Sequence, residues 1–457
     1  MIPSEDPAKD GSEMPTEEGD ENPAFVNMDD VVEVQIQDND EPMEDVDDNE
    51  EEKMNSEEER AEVVEEMAKV VLDSHNDSVY CIASHFDRSS NVLYNISGGG
   101  DDKAFLHKVS KTESTTTETI PLSYKHTDSV SCAALNLPFV SADLSKTPIY
   151  AAVGAYDGTI IIYDPISGTK LKDLEGPNDI EFVSFHPKGG SVLLAGSSDD
   201  GTVWMYHLPT SKCMQVFVGH ESGVTAGTFT PDGKSVLSCG SDGTLRVWAP
   251  RTGVGKFVFR LGTKGAGLTC MATNDNPDSH LVLVGAEDGI AHICHIASKK
   301  VIASLQHAAE ENSENQKEGD EGMENPSRSV ETVGFAPSAL NLNWCATGGI
   351  DGNLKIWDLN SNGACRHTCR HGSGNGVTNL QWHPVHPIVF TGATDGTIRI
   401  WDARNGTLIK ALTGHTALIN DLTVDATEGG GAIIVSASDD NSVRVFEINS
   451  ENIFANP

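Results

Sequence analysis

From residue 219 the chain reads GHESGVTAGTFTPDGKSVLSCGSDGTLRVWA, in which short apolar runs alternate with polar positions between two turns. The stretch opens on Gly219-His220, turns at Pro231-Asp232-Gly233 and again at Asp242-Gly243, and closes on Trp248-Ala249. Short alternating runs bounded by turn residues predict half-buried antiparallel strands. The same pattern returns at 371–402 and 414–447.

The most regular marker is the Asp of the second turn, read at Asp102, Asp157, Asp200, Asp242, Asp288, Asp351, Asp395 and Asp440. Successive gaps are 55, 43, 42, 46, 63, 44 and 45 residues. Six residues after each Asp comes a Trp-Asp-like slot, held by Trp248, Trp357 and Trp401 in the clearest copies and by Tyr163, Tyr206 or Phe446 elsewhere. This period with these ends resembles the WD-repeat, one four-stranded propeller blade per unit. The expected fold is therefore all-β, an eight-bladed WD-repeat β-propeller over residues 67–449.

The last copy stops after its third strand. Lys69-Val70-Val71-Leu72-Asp73-Ser74-His75 lines up with Ile409-Lys410-Ala411-Leu412-Thr413-Gly414-His415, an outer strand leading into a Gly-His. An N-terminal strand is thus expected to complete the last blade and remove two exposed sheet edges. Just upstream, Val63, Val64, Met67, Val70 and Val71 fall at near-helical spacing within 57–72, which predicts a short helix before the propeller. A Ser/Thr-rich loop is expected over Ser110 to Thr119, and an extra loop near Pro138 to Thr147.

Charge divides the chain unevenly. The formal net charge is −39, of which residues 1–66 hold 27 Asp and Glu against 3 Lys and Arg. That segment is poor in aromatics and reads as a disordered acidic tail. A second acidic stretch lies in an insert at 308–328, and 450–457 form a C-terminal tail. About −9 is left for the remainder, and an acidic surface repels nucleic acid and anionic lipid while attracting basic proteins. No apolar run reaches the ~20 residues of a membrane helix, so no membrane insertion is expected. Nine scattered cysteines fit reduced thiols. The compartment expected is the cytoplasm, with the nucleus as the alternative, and the chain is expected to be a monomer.

His220, Ser238, Asp242 and Trp248 resemble a nucleophilic triad, but the set recurs as His371, Thr391, Asp395 and Trp401. A catalytic group is needed once, whereas every blade must satisfy its buried turn Asp and His, so these are read as structural tetrads. Cys365, His367, Cys369 and His371 alternate along one predicted strand. His371 is committed to its tetrad and no second ligand pair appears, so no metal or other cofactor is expected. The chain has no Gly-rich phosphate loop, zinc-helix motif or Gly-x-Ser-x-Gly elbow, and no enzyme activity is expected.

In WD-repeat propellers the top face is lined by the residue before each turn Asp and by the start of each inner strand. Those positions map here to Asp101, Tyr156, Asp199, Ser241, Glu287, Ile350, Thr394 and Asp439 before the turns, half of them acidic and none basic, and Asp179, Glu181 and Glu331 add carboxylates at inner-strand starts. Such a ring would focus negative potential on a central funnel and steer a basic segment to it.

Several blocks go beyond repeat grammar. Met43-Glu44-Asp45-Val46-Asp47, Gly100-Asp101-Asp102-Lys103-Ala104-Phe105, HPKGGSVLLAGSSDDGTVWMY at 186–206 and Trp401-Asp402-Ala403-Arg404-Asn405-Gly406 resemble the angio-associated migratory cell protein family, over nearly the whole chain from about residue 43. The family's yeast relative is a dedicated chaperone that captures the basic N-terminus of a newly made large-subunit ribosomal protein on its acidic top face. The resemblance implies the same role here, with a basic segment of a ribosomal protein as partner and no direct contact with nucleic acid. Animal members are described as cytosolic proteins of cell migration and angiogenesis, which implies the alternative of a signalling scaffold.

Overall fold

In the computed structural model, residues 65–111, 115–136, 149–308, 328–372 and 374–451 are described, and they form eight four-stranded antiparallel sheets. Seven sheets are built from four consecutive strands each. The inner strands begin at Val79, Val130, Ile180, Val224, Leu268, Val330, Val377 and Ile419. Position in the blade dictates what each strand buries: in Val236–Gly240 every residue is buried, whereas in the outer strand Gly255–Arg260 only Phe259 is. Apolar clusters form between successive sheets rather than within one. Ile160, Ile162 and Leu174 of the second blade pack on Ile180, Leu193 and Tyr206 of the third, for instance. Each repeat buries its apolar face only against a neighbour, which is why the array must close.

Closure is made by the N-terminal segment. Val70–Leu72 pairs antiparallel with Val443–Ile448, with Val70 opposite Val445 and Leu72 opposite Val443. Leu72 joins Val79, Leu93, Val435 and Val443 in the cluster between the eighth and first blades. The N–H of Met67 donates to Thr413 O at 3.1 Å, and that of Lys69 to Val445 O at 2.9 Å. Lys69 and Lys111 both pair with Glu447, and Arg444 reaches Glu66 at 3.0 Å.

The helix predicted over 57–72 does not form in its described part: 65–69 carry no helix and 70–72 are strand. Val70 and Val71 are β-branched and meet an unpaired strand edge, which outweighs the apolar spacing. The loop predicted over Ser110 to Thr119 is also corrected. Ala104–Lys111 and Thr115–Pro121 pair as the third and fourth strands of the first blade, since Thr-rich segments suit an exposed strand. The acidic tail up to residue 64, the extra loop near Pro138 to Thr147, nearly all of the 308–328 insert and residues 452–457 lie outside the described residues.

Candidate functional site

The repeated polar tetrads join the strands of a blade by hydrogen bonds. In the fourth blade Trp248 Nε1 donates to Ser238 Oγ at 2.8 Å, and Ser238 Oγ lies 2.7 Å from His220 Nε2. His220 Nδ1 lies 3.1 Å from both Asp242 oxygens. A carboxylate only accepts, so Nδ1 carries the proton and Nε2 accepts from the serine. Burial lowers the His220 pKa despite Asp242, which keeps the ring neutral. The seventh blade departs from the expected chain. Trp401 and His371 both reach Thr391 Oγ1 at 3.0 Å, but Arg399 stands between His371 Nδ1, at 3.2 Å, and Asp395. The guanidinium donates to Nδ1, so here the proton sits on Nε2. A tetrad that the spacing did not reveal, His307–Thr347–Asp351–Trp357, completes the sixth blade. Its His is preceded by Gln306 rather than Gly, and the 309–327 insert separates it from its inner strand.

The second blade has Val153 at the position held by Ser97, Ser238, Thr347, Thr391 and Ser436 in the tetrad-bearing blades, and His126 Nε2 is buried without a partner. Val153→Thr would supply that hydrogen bond. It is expected to stabilise the fold by about 1 kcal/mol, read as a higher chemical-denaturation midpoint. A midpoint at or below that of the parent chain refutes this.

The first blade corrects the sequence register by one residue. Asp102 has φ +60°, the left-handed position that Gly158, Gly243 and Gly396 hold in other blades, so the turn Asp is Asp101. Asp101 Oδ1 accepts from His75 Nδ1 at 2.9 Å and Oδ2 from Asn76 N at 3.1 Å, and its side chain is 6% exposed. Asp101 is therefore a tetrad member and not a partner-binding residue. His107, six residues on, holds the Trp slot, 3.0 Å from Ser97 Oγ. A left-handed site accepts Asp as well as Gly, so two adjacent aspartates hid the shift.

The third blade has a turn longer by one residue. Ser198 N donates to Asp179 O, as Ser241 N does to Gly223 O and Glu287 N to Gly267 O. Ser198 therefore occupies the pre-turn position, and Asp199 is an additional exposed residue beside it. With Pro177 in the His slot, Asp200 is also exposed.

The rim can now be assembled from backbone geometry. A residue before each inner strand accepts the N–H of the pre-turn residue: Ser78, Ser129, Asp179, Gly223, Gly267, Ser329, Gly376 and Leu418. Every inner strand then carries a β-bulge at its second residue, seen as a register shift in all eight inner pairings. A bulge re-aims its side chain and ends regular pairing. The bulged residues are Tyr80, Ser131, Glu181, Thr225, Thr269, Glu331, Thr378 and Asn420. Among these and the pre-turn positions stand Asp179, Glu181, Glu287, Glu331 and Asp439, with no Lys or Arg. Asp199 lies alongside.

These carboxylates differ in what already holds them. Glu287 accepts from Gly267 N at 2.9 Å, and Asp439 from Asn420 Nδ2 at 2.7 Å. Glu181 is half-buried; burial pushes its pKa up, opposed by the Ser198 hydroxyl. Burial and the Glu181 carboxylate, with smaller contributions from Tyr80 and Asp179, push the Tyr156 phenol up to about 12, which places these side chains in one neighbourhood. Tyr80, 39% exposed, was not singled out in the sequence. Its signal was available, because it holds the strand position of Glu181 and Glu331. Gly100 leaves room for it: a Cβ there would lie 3.2 Å from the Tyr80 hydroxyl oxygen.

The alternating Cys365, His367, Cys369 and His371 do not converge. Cys365 is exposed, His367 Nε2 donates to Arg404 O at 2.9 Å, Cys369 is buried, and His371 is held in its tetrad. Away from the rim, a lateral groove of about 580 Å³ lies between the second and third blades, lined by Tyr124, Trp204, Tyr206 and Glu175 among others.

The family profile described as "Nucleolar protein 10-like, N-terminal domain" matches residues 228–450, and "WD domain, G-beta repeat" matches residues 168–207. The Angio-associated migratory cell protein of Canis lupus familiaris is 33% identical over 377 residues, covering 81% of this chain and 78% of that protein. The Homo sapiens protein of the same name is 32% identical with the same coverage. Among solved structures, Chaetomium thermophilum Sqt1 bound to the N-terminus of the ribosomal protein L10 aligns with TM-score 0.67 at 23% identity. Saccharomyces cerevisiae Sqt1 aligns with TM-score 0.68 at 18% identity. Each alignment covers 84% of this chain and 100% of the other. At such identities they show a shared fold.

Proposed function

The chain belongs to the angio-associated migratory cell protein family, and on that footing we propose that it is a non-enzymatic protein-binding scaffold whose acidic rim holds the basic N-terminal segment of a newly made large-subunit ribosomal protein. The observation that carries this reading is the rim's one-sided charge: five carboxylates and no Lys or Arg over three residue positions per blade. Low-dielectric walls around such a mouth concentrate its potential, so a cationic peptide is drawn in faster and discriminated from an acidic one. A protein of the same fold was solved with the N-terminus of ribosomal protein L10 bound. The relatives' name supports the alternative, a scaffold in cell migration.

The test is titration of a basic ribosomal N-terminal peptide into the full chain and into Glu181→Lys/Asp199→Lys. Two reversals at the mouth should weaken binding by about tenfold or more, about 1.4 kcal/mol, and added salt should weaken the parent complex as well. Unchanged affinity in the double variant sinks the assignment of this face. A parent chain that ignores basic peptides while retaining partners through its outer strands favours the migration scaffold.

A further inference from the structure

The outer wall of the propeller carries the opposite charge to its mouth. In blades three to seven, the outermost strand and the turn leading into it span 208–217, 249–260, 296–306, 359–370 and 403–412. These five arms hold ten Lys and Arg and no Asp or Glu, in a chain that has 70 acidic residues against 31 basic ones. The corresponding arm of the second blade, 164–175, carries Asp164, Asp173 and Glu175, so the bias belongs to an arc of the wall and not to the repeat. Two carboxylates border the arc and both are taken up by it. Asp358 pairs with Arg366 at 3.4 Å, and Asp402 with Arg404 at 2.7 Å. Lys212, Arg260, Lys300, Arg370 and Lys410 enter no ion pair among the described residues.

The arc is continuous, because each turn lies on the outermost strand of the blade before it. A Cβ added at Gly253 would lie 2.0 Å from Gln215, one at Gly363 2.5 Å from Leu305, and one at Gly406 2.8 Å from His367. Between the fourth and fifth blades, Lys299 Nζ stands 5.4 Å from the centre of the Phe257 ring. Apolar side chains are left open on the same arms. Met214, Val254, Val301, Ile302 and Leu408 are exposed, Val254 at 63% and Ile302 at 57%. Among the described residues each of these outermost strands pairs along one edge only.

Lysine on a strand edge is a common guard against unwanted pairing. A guard works with charge of either sign, and valine or isoleucine left open beside it defeats the purpose. Positive charge without a single negative one, interleaved with open apolar side chains, instead complements an acidic strand whose alternate residues are apolar. Charges further off than about 8 Å are screened at physiological salt, so these arms set the local potential whatever the net charge of the chain. A nucleic acid fits less well, since its phosphates give Val254, Ile302 and Leu408 nothing to bury against.

We propose that the outer wall of blades three to seven is a second docking surface, which takes an extended acidic segment of a partner protein with apolar residues at alternate positions. The segment centres on Ala364–Arg370, the arm between those of Lys300 and Lys410. Its carboxylates pair with Lys300, Arg370 and Lys410, its apolar side chains cover Ile302 and Leu408, and its backbone adds to the free edge. The surface is distinct from the rim and opposite in sign, so it stands or falls independently of the reading above.

The test is titration of a synthetic peptide that alternates valine and glutamate into the full chain. Lys300→Glu/Arg370→Glu should weaken binding by about tenfold or more, with an unchanged thermal midpoint, and added salt should weaken the parent complex. Should the reversed pair fold poorly, Lys300→Gln/Arg370→Gln is expected to weaken binding in the same direction by a smaller factor. Ile302→Ser should weaken it severalfold while the salt dependence stays, which a purely electrostatic wall would not show. Glu181→Lys/Asp199→Lys should bind this peptide as the parent does. A parent chain that does not bind the peptide, or parent-like affinity in both Lys300/Arg370 pairs, overturns the surface. A single-stranded RNA oligonucleotide that binds the parent more tightly than the peptide, and is lost in the same pairs, overturns the protein partner.

Discussion

A chain that begins at Ser74 is expected to lose roughly 5 kcal/mol or more relative to one that begins at residue 65, a large part of the 5–15 kcal/mol by which folded domains exceed unfolding. The expectation follows from what Val70–Leu72 does. It buries Leu72 in the seam between the last and first blades, worth about 1.5–3 kcal/mol. It also pairs backbone groups with Val443–Ile448, at about 0.5–1.5 kcal/mol net for each hydrogen bond. Removal leaves Arg444 without Glu66 and Glu447 without Lys69, and it exposes a strand edge able to pair with another chain. Differential scanning calorimetry with size-exclusion chromatography checks both consequences. If the shorter chain is as stable and as monomeric as the longer one, the seam is not held by this strand.

The second large effect is expected at Asp421, whose carboxylate spans the seventh, eighth and first blades. Its Oδ2 accepts from Ile82 N at 2.9 Å, and its Oδ1 from Leu422 N at 2.8 Å and from Asn379 Nδ2 at 3.1 Å. Asp421→Ala strips three donors of their acceptor and should cost roughly 2–4 kcal/mol, since a buried unmade hydrogen bond costs about 1–3 kcal/mol. Burial pushes the carboxyl pKa up from its ordinary 3.8 to about 6, against the three hydrogen bonds. The folded chain therefore holds this proton more tightly than the unfolded chain. Its contribution is greatest below the ordinary value and is lost as pH rises from about 4 to about 6. Asp421→Asn cannot titrate, so the stability advantage of the parent over it should shrink across that window and then level off. A difference that grows with pH over the same range would falsify the assignment of the shifted group.

Both effects concern a fold that was open to reading in the amino-acid order. Alternation and turn residues are local signals, and their recurrence at a near-constant spacing carries its own check. The match of Lys69–His75 to Ile409–His415 announced closure by an N-terminal strand for the same reason. The helix expected over 57–72 failed because apolar spacing does not report an unpaired strand edge waiting hundreds of residues away. Tetrads were legible at His220 and His371, each a few residues before its inner strand, and hidden in the sixth blade, where the 309–327 insert separates His307 from Val330–Phe335.

The rim was legible only in part. Asp101 and Asp102 are indistinguishable in one dimension, as are Asp199 and Asp200. Which of them turns inward depends on where the left-handed residue falls and on whether a histidine stands across the turn. His75 draws Asp101 in, whereas Pro177 offers Asp200 nothing. The amino-acid order by itself determined the repeat, the number of blades, the closing strand and an acidic mouth, because each follows from contacts between residues close in the chain or from a pattern copied eight times. Tertiary structure alone decided which carboxylates the scaffold takes up, as it does Asp101 through His75. Thr225, Thr269 and Asn420 each bond the carbonyl of a neighbouring blade, some forty to sixty residues on or, at the seam, 341 residues back, and only the assembled ring brings such groups together.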